Sequence, residues 1–505
     1  MWPTGATRRG AGPTESFPAT GSPICRRSSA RSIAQGGTAS TTSRSSATTA
    51  LLATRGRTRS GTSRPPSWHA AGGRRSTGSG RRESGSPLTG YREVLSNRGI
   101  TTGRRSMRRR GKWVAVVVGV AALAAIGTAV AATTSDGSAG AKGPIVIGWA
   151  FDSTGTMAPF DNPALAAAKI RVGQWNAKGG VLKRKLELRT CDTQGNKPDI
   201  AKSCAQRLLD DGANVIMTTC DVELAAPVVQ EAINHGTLAV ASCIGTDQMG
   251  PKRFGSKGRL AFTFGNVAQD EGSAMAQYAW SKGWRKAALA TDSVIIYFRN
   301  VVQAFDARWK QLGGKVVARE TYQSLGGNNV QNVVSRLNGV KADVIVTSTA
   351  GAFGALSTLI SGLRSAGNNT PVINSWAGDG NYWLPKDPKV TNYWFVTYAS
   401  VFGDDPSKQV NALAKQIHAA TGGFITGPAA IDGIVTAITR AHGSTNGLTL
   451  AKVMEKFKKV PTISGNVSFS RNLHSVFGRR YRVIKIQNNI PKLVGTVVAK
   501  VVAKI

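Results

Sequence analysis

The chain has 505 residues, 65 of them Lys or Arg and 27 Asp or Glu, for a formal charge of +38 at pH 7. That length allows two or three domains and a substantial core. The charge suggests nucleic acid at first sight, but no basic helix or aromatic-basic motif accompanies it, and the basic residues of the body lie scattered among acids, so a nucleic-acid partner is excluded from the reading. A basic body suits an anionic envelope or solute without naming either.

Residues 1–106 hold 18 Arg, no Lys, three Glu (Glu15, Glu83, Glu93) and no Asp. They are rich in Ser, Thr, Gly, Ala and Pro and lack an apolar period, which predicts a disordered segment. Arg without Lys over such a length leads to the expectation that they are upstream sequence read from a wrong start codon, with Met107 as the start; a genuine disordered extension is the alternative. Met107 to Lys112 (MRRRGK) forms a positive n-region, Trp113 to Ala132 an uncharged apolar run, and Ala129-Val130-Ala131 a signal-peptidase site. A signal peptide is therefore expected over 107–131 and a linker over 132–143. The run is also just long enough to span a bilayer, so a retained anchor is the alternative. No Cys lies near the cleavage site, which argues against a lipoprotein, and either way the body is expected outside the membrane.

From Pro144 the chain alternates short β-branched runs with longer helical patterns. Pro144–Phe151 reads as a buried strand. Asn162-Pro163 reads as an N-cap with Pro at the first helical position, opening a helix over Ala164–Trp175 that Gly179-Gly180 ends. Leu186–Cys191, a helix from Pro198 to Gly212, Val215–Thr219, helix Leu224–His235 and Leu238–Ser242 continue the series. A second series follows: helix Asp270–Gly283, strand Ala287–Thr291, a helical stripe from Phe298 to Leu312, then Val316–Tyr322, Val330–Leu337, Val344–Thr347, Phe353–Leu363 and Val372–Asn374. Lys408–Lys459 reads as helical, and Val467–Phe469 with Tyr481–Ile486 as a final pair of strands. Repeated βα units imply an α/β fold with parallel sheets, most economically two Rossmann-like lobes. No G-x-G-x-x-G follows the first strand and no Walker loop occurs, so no cofactor is expected.

Four body cysteines, Cys191, Cys204, Cys220 and Cys243, suit two disulfides in an exported domain, with three possible connectivities. No C-x₂-C or His pair supports a zinc site instead.

Several stretches resemble one family in order and spacing: Ile145–Asp152 followed by Ser153-Thr-Gly155, Gly179–Leu188 (GGVLKRKLEL), Cys191-Asp192, Leu208–Gly212 (LLDDG), Val240–Thr246 (VASCIGT), Leu363–Gly367 (LRSAG) and Gly465–Phe469 (GNVSF). Together they resemble the type I periplasmic binding proteins, in the branch of the leucine/isoleucine/valine-binding proteins of ABC importers, over roughly Pro144 to Val494. The resemblance implies two lobes joined by a three-strand hinge, with crossings placed near Asn266, Tyr398 and Pro461. Lobe 1 is then 144–266 plus 399–460, and lobe 2 is 267–398 plus 461–505. It further implies a monomer that captures a small polar solute (an amino acid or a related amide, amine or aromatic acid) and delivers it to a membrane permease. A membrane-anchored ligand sensor of the same fold is the alternative. The cysteines are predicted to pair Cys191–Cys204 and Cys220–Cys243, since each pair joins neighbours in a doubly wound order; the family offers Cys191–Cys220 as the alternative.

Enzyme signatures are missing. His235, His418, His442 and His474 read as solvated or capping residues, and Asp210-Asp211 and Asp404-Asp405 as solvated acids; no catalytic residue and no metal ligand is assigned. Binding candidates follow strand ends, where open α/β sheets take ligands. In the first series these are Thr219, Cys220 and Asp221 at a helix N-terminus, then Ser242, Gly245 and Thr246. In the second they are Tyr297, the turn Ser348, Thr349, Ala350, Gly351, and the stretch Trp376 to Asp379. Asp221 also reads as a plain N-cap, and Tyr297 and Trp376 as lobe core. Thr246 matches the family's amino-acid-gripping Thr. Asp221 departs from the family, whose branched-chain binders usually place a Ser there, and a carboxylate would repel the ligand carboxylate. The acid that takes the ligand's ammonium has no clear counterpart, since Asp379 is shifted and the aligned stretch reads Ser375-Trp376. A cationic, amide or aromatic solute stays open.

Overall fold

The computed structural model describes residues 143–326 and 329–505; the Arg-rich segment, the signal-like run and all but the last residue of the linker lie outside them. The first series runs β1 (Ile145–Phe151), α1 (Ala158–Ala177), β2 (Leu186–Asp192), α2 (Pro198–Asp210), β3 (Val215–Thr218), α3 (Val222–Asn234), β4 (Leu238–Ala241), α4 (Pro251–Phe254) and β5 (Ala261–Asn266). The second runs α5 (Ala268–Ser281), β6 (Lys286–Asp292), α6 (Ile296–Gln311), β7 (Lys315–Tyr322), α7 (Val330–Asn338), β8 (Val344–Ser348), α8 (Ala355–Ser365), β9 (Val372–Asn374) and β10 (Tyr393–Thr397). There follow α9 (Lys408–Gln416), α10 (Thr426–Arg440), α11 (Gly447–Met454), β11 (Val460–Thr462), β12 (Gly465–Val467), β13 (Ser475–Val476), β14 (Tyr481–Gln487) and β15 (Ile490–Val497).

These strands form two sheets, ordered β13-β5-β4-β3-β1-β2 and β15-β14-β10-β9-β8-β6-β7, with a small β11-β12 ribbon beside them. The first sheet is parallel throughout; in the second, β14 and β15 are antiparallel additions. Helices cover both faces, so inner strands such as β3, β4 and β8 are buried along their whole length and read as unbroken apolar runs. Edge strand β7 is instead largely open, with Lys315, Arg319 and Thr321 exposed and only Tyr322 fully buried.

Several boundaries differ from the sequence reading. α1 begins at Ala158, not Ala164, and Pro163 lies inside it. Tertiary contacts hold the extra turn: Phe160 is buried, and the Asp161 carboxylate accepts the Asp152 N–H at 2.9 Å. The C-terminal strands also pair otherwise. β12 pairs with β11, while β14 makes a hairpin with β15 around Asn488 and Asn489, both in the left-handed region that such tight turns need. Residues 408–459 are three helices and a 3-10 turn rather than one continuous helical stretch.

The lobes exchange chain at other points than the spacing implied. Val410, Leu413 and Ala414 of α9 pack in the core of the second lobe, so the return to the first comes at α10, whose Ala429, Ile431 and Ile434 join that lobe's core. The last crossing lies after Val476, not near Pro461, because Val467 and Phe469 are buried in the first lobe and β13 pairs with β5. Three chain segments meet between the lobes: the Asn266 side chain donates to Tyr481 Oη at 2.7 Å and to Asp270 at 2.9 Å, Tyr398 Oη accepts the Asn266 N–H at 3.3 Å, and Gly478 N–H reaches Asp270 at 3.1 Å. Two polar residues read as solvated are buried. His474 stacks on Phe262 at 4.0 Å and bonds the Ala261 carbonyl at 2.9 Å, and Asp405 takes a two-toothed ion pair from Arg482 at 2.9 and 3.1 Å.

Candidate ligand-binding cleft

The carboxyl ends of the strands in the two sheets face one another across a small cavity of about 20 Å³. That is room for the centre of one or two waters. From the first lobe come Met157 and Phe160 at the start of α1, Cys220 to Val222 between β3 and α3, and Ile244 to Thr246 after β4. From the second come Ile295, Tyr297 and Phe298 at the start of α6, Ala350 and Phe353 after β8, and Trp376 with Ala377 after β9. The lobes touch through aromatic rings, with Phe160 set edge-on to Trp376 at 5.3 Å.

Of the predicted residues, Cys220, Asp221, Gly245, Thr246, Tyr297, Ala350 and Trp376 line this cavity. The others stand behind the wall. Ser242 packs on the sulfurs of Cys220 and Cys243, Ser348 bonds Ser375 at 2.8 Å, and the Thr349 hydroxyl donates to Asp292 at 2.6 Å. Gly351 backs onto Trp383, where a Cβ would come within 2.4 Å of the indole. Asp379 accepts from the Thr397 hydroxyl at 2.7 Å and the Gly422 N–H at 2.6 Å, tying the end of β9 to β10 and to the return segment. Thr219 is buried behind Cys220, against Asp161.

Gly245 is required by its neighbour from the other lobe. A Cβ there would lie 2.6 Å from two ring carbons of Tyr297, so only a glycine lets that ring close on the turn. The Tyr297 ring is held from behind by Glu271 in the first turn of α5. Glu271 Oε2 accepts the phenol O–H at 2.8 Å and Oε1 accepts the Trp376 N–H at 2.7 Å, so one buried carboxyl fixes both aromatic walls. Asp221 caps α3, its Oδ1 accepting from Glu223 and Leu224 N–H at 3.0 Å each.

The cysteines form Cys191–Cys204 and Cys220–Cys243, with Cα atoms 5.5 and 4.9 Å apart. The second bond joins the turns after β3 and β4, which carry Asp221 and Thr246.

Burial dominates the electrostatics. It pushes the carboxyls of Asp161, Asp221 and Asp379 up to about 7 and that of Glu271 up to about 8; at Asp221 the nearby Glu223 adds to the effect.

Sequence reasoning missed Phe160, Phe298, Phe353 and Glu271. Phe298 and Phe353 opened segments that read as helices, Phe160 lay between the first strand and the expected start of the first helix, and Glu271 lay unmarked in the helix expected over Asp270–Gly283.

A family profile described as periplasmic binding protein matches residues 144–490. The chain belongs to the periplasmic binding protein family. Leu/Ile/Val-binding protein BraC3 of Rhizobium johnstonii is 22% identical over 336 residues, 65% of this chain and 88% of that protein. Among solved structures, the branched-chain amino acid transporter substrate-binding protein LivJ of Streptococcus pneumoniae, in complex with isoleucine, superposes with a TM-score of 0.60 at 18% identity, covering 70% of this chain and 99% of its own. An ABC-transporter solute-binding protein from R. palustris, in complex with 4-hydroxybenzoate, gives 0.56 at 17% identity, covering 71% and 96%. These likenesses bear out the two-lobed α/β fold and the leucine/isoleucine/valine-binding-protein type. Members of this periplasmic family are solute-binding proteins that work outside the cytoplasm, and they are not enzymes.

Proposed function

We propose that the protein captures a small solute between its lobes and delivers it to an ABC-type importer, acting as an exported monomer whose signal peptide is cleaved near Ala131. The observation that carries this reading is the cavity at the facing strand ends, walled by side chains from both lobes. Ligands of α/β folds bind at such strand ends. The cavity is too small for an organic solute, so the lobes part about the segments at Asn266, Tyr398 and Gly478–Tyr481 to admit one and then strip it of water on closing. The relatives supply candidate chemistries, since LivJ is in complex with isoleucine and the R. palustris protein with 4-hydroxybenzoate.

A thermal-shift screen of amino acids, amides, amines and aromatic acids tests the reading. A ligand of the native state raises the melting temperature by mass action, by about 2.7 kcal/mol of stability at a hundredfold excess over Kd. A hit that also lowers the radius of gyration in solution scattering supports capture by closure. A hit that leaves lobe geometry and the cleft variants unaffected places binding elsewhere.

A further inference from the structure

Resting on the solute-binding reading, we infer that the cleft takes a small organic cation with a flat apolar body, held between aromatic walls with Asp221 as its counter-charge. Phe160, Tyr297, Phe298, Phe353 and Trp376 surround the cavity. Ring faces attract a cation and stack on a flat apolar body. Among the described residues lining the cavity, Asp221 is the one acid, and there is no Lys, Arg or His. Asp221 is 3% exposed, and its Oδ1 is taken by the two N–H groups of α3. Its other side-chain neighbour is Glu223, an acid, so among the described residues no cation of the protein pairs with this carboxyl.

An anionic ligand meets no compensating charge here. The buried guanidinium of Arg479 lies over the Tyr398 ring at 4.7 Å and donates to the Phe264 carbonyl, outside the cavity lining. The groups around Asp221 are Glu223 on its own helix, Asp161 on α1 behind Cys220, Tyr297 across the cavity and Glu271 behind that ring; all are acidic or neutral. Burial, with the like-charged Glu223 beside it, pushes the Asp221 carboxyl up to about 7. A bound cation favours the ionised form, so its binding releases a proton and tightens as pH rises through 7. A carboxylate ligand would do the reverse.

Calorimetry with 2-phenylethylammonium and benzyltrimethylammonium, against benzoate, 3-phenylpropionate and isoleucine, tests this at pH 6 and pH 8 in two buffers of different ionisation enthalpy. The cations are expected to bind about tenfold more tightly at pH 8 than at pH 6, with proton release. Asp221→Asn keeps the cap. It should weaken cation binding about tenfold or more and remove the pH dependence, at a near-wild-type melting temperature. Binding of benzoate, 3-phenylpropionate or isoleucine without the cations overturns the inference and leaves solute capture standing. Unchanged cation affinity in Asp221→Asn overturns the role of that carboxylate. Silence from every probe overturns the cation, and a broad solute screen that also stays silent removes the capture reading with it.

Discussion

Glu271 is fully buried and holds three elements together, which makes its replacement a sharp probe of the cleft. Glu271→Ala removes the acceptor of the Trp376 N–H and of the Tyr297 O–H. Each buried donor left unpaired costs about 1–3 kcal/mol, so the variant should lose about 2–6 kcal/mol. Glu271→Gln keeps the shape, an acceptor for Trp376 and a donor for Tyr297 Oη, and should cost under about 1 kcal/mol at pH 5. Burial raises the folded carboxyl to about 8, well above an unfolded value near 4.3. Between those values the folded state keeps a proton that the unfolded state has lost, so this group's contribution to stability is greatest below about pH 4.3 and falls as pH rises to 8. The slope is at most about 1.4 kcal/mol per pH unit. Gln does not titrate, so relative to wild type this variant should gain stability from pH 5 to pH 8. Urea unfolding of the three proteins at pH 5, 6.5 and 8 measures both effects. A Gln variant as damaged as the Ala variant, or one whose pH slope equals that of wild type, would refute the reasoning.

Gly245→Ala should hold the lobes apart, because its Cβ would meet a Tyr297 ring that Glu271 keeps from moving. Ligand affinity should fall about tenfold or more, with a larger radius of gyration in scattering and a fold cost of about 1–3 kcal/mol. Thr246→Val deletes a hydroxyl from the cavity wall and should weaken binding of the screened solute roughly ten- to a hundredfold with little change in melting temperature; unchanged affinity in calorimetry removes Thr246 from the site. Non-reducing peptide mapping should recover Cys191–Cys204 and Cys220–Cys243, and removing either bond should cost about 3 kcal/mol for loops of 13 and 23 residues.

The alternation of elements was legible because buried parallel strands read as apolar runs; the Val344–Ser348 strand needs no partner information to be seen. The disulfides were legible because Cys191, Cys220 and Cys243 sit at or just past strand ends and Cys204 faces the sheet from the next helix. Long-range contacts decided what was missed. Glu271 is buried against partners far along the chain, Tyr297 and, 105 residues on, Trp376, both of which donate to it. α1 starts early because Asp161 satisfies a backbone group in the loop after β1. Aromatics on a helical stripe look alike whether they fill a core or wall a cleft, so Phe298 and Phe353 carried no separate signal. The β14-β15 hairpin did leave one, the Asn488-Asn489 pair, which went unread between its strands.

The account rests on both lobes gripping one solute. Its most direct test is the affinity of a screened ligand for wild type, Asp221→Asn and Trp376→Ala, one variant from each face of the cavity. Capture between the lobes predicts that each single change weakens binding by about tenfold or more, with both proteins still folded. Wild-type affinity in both variants would contradict it.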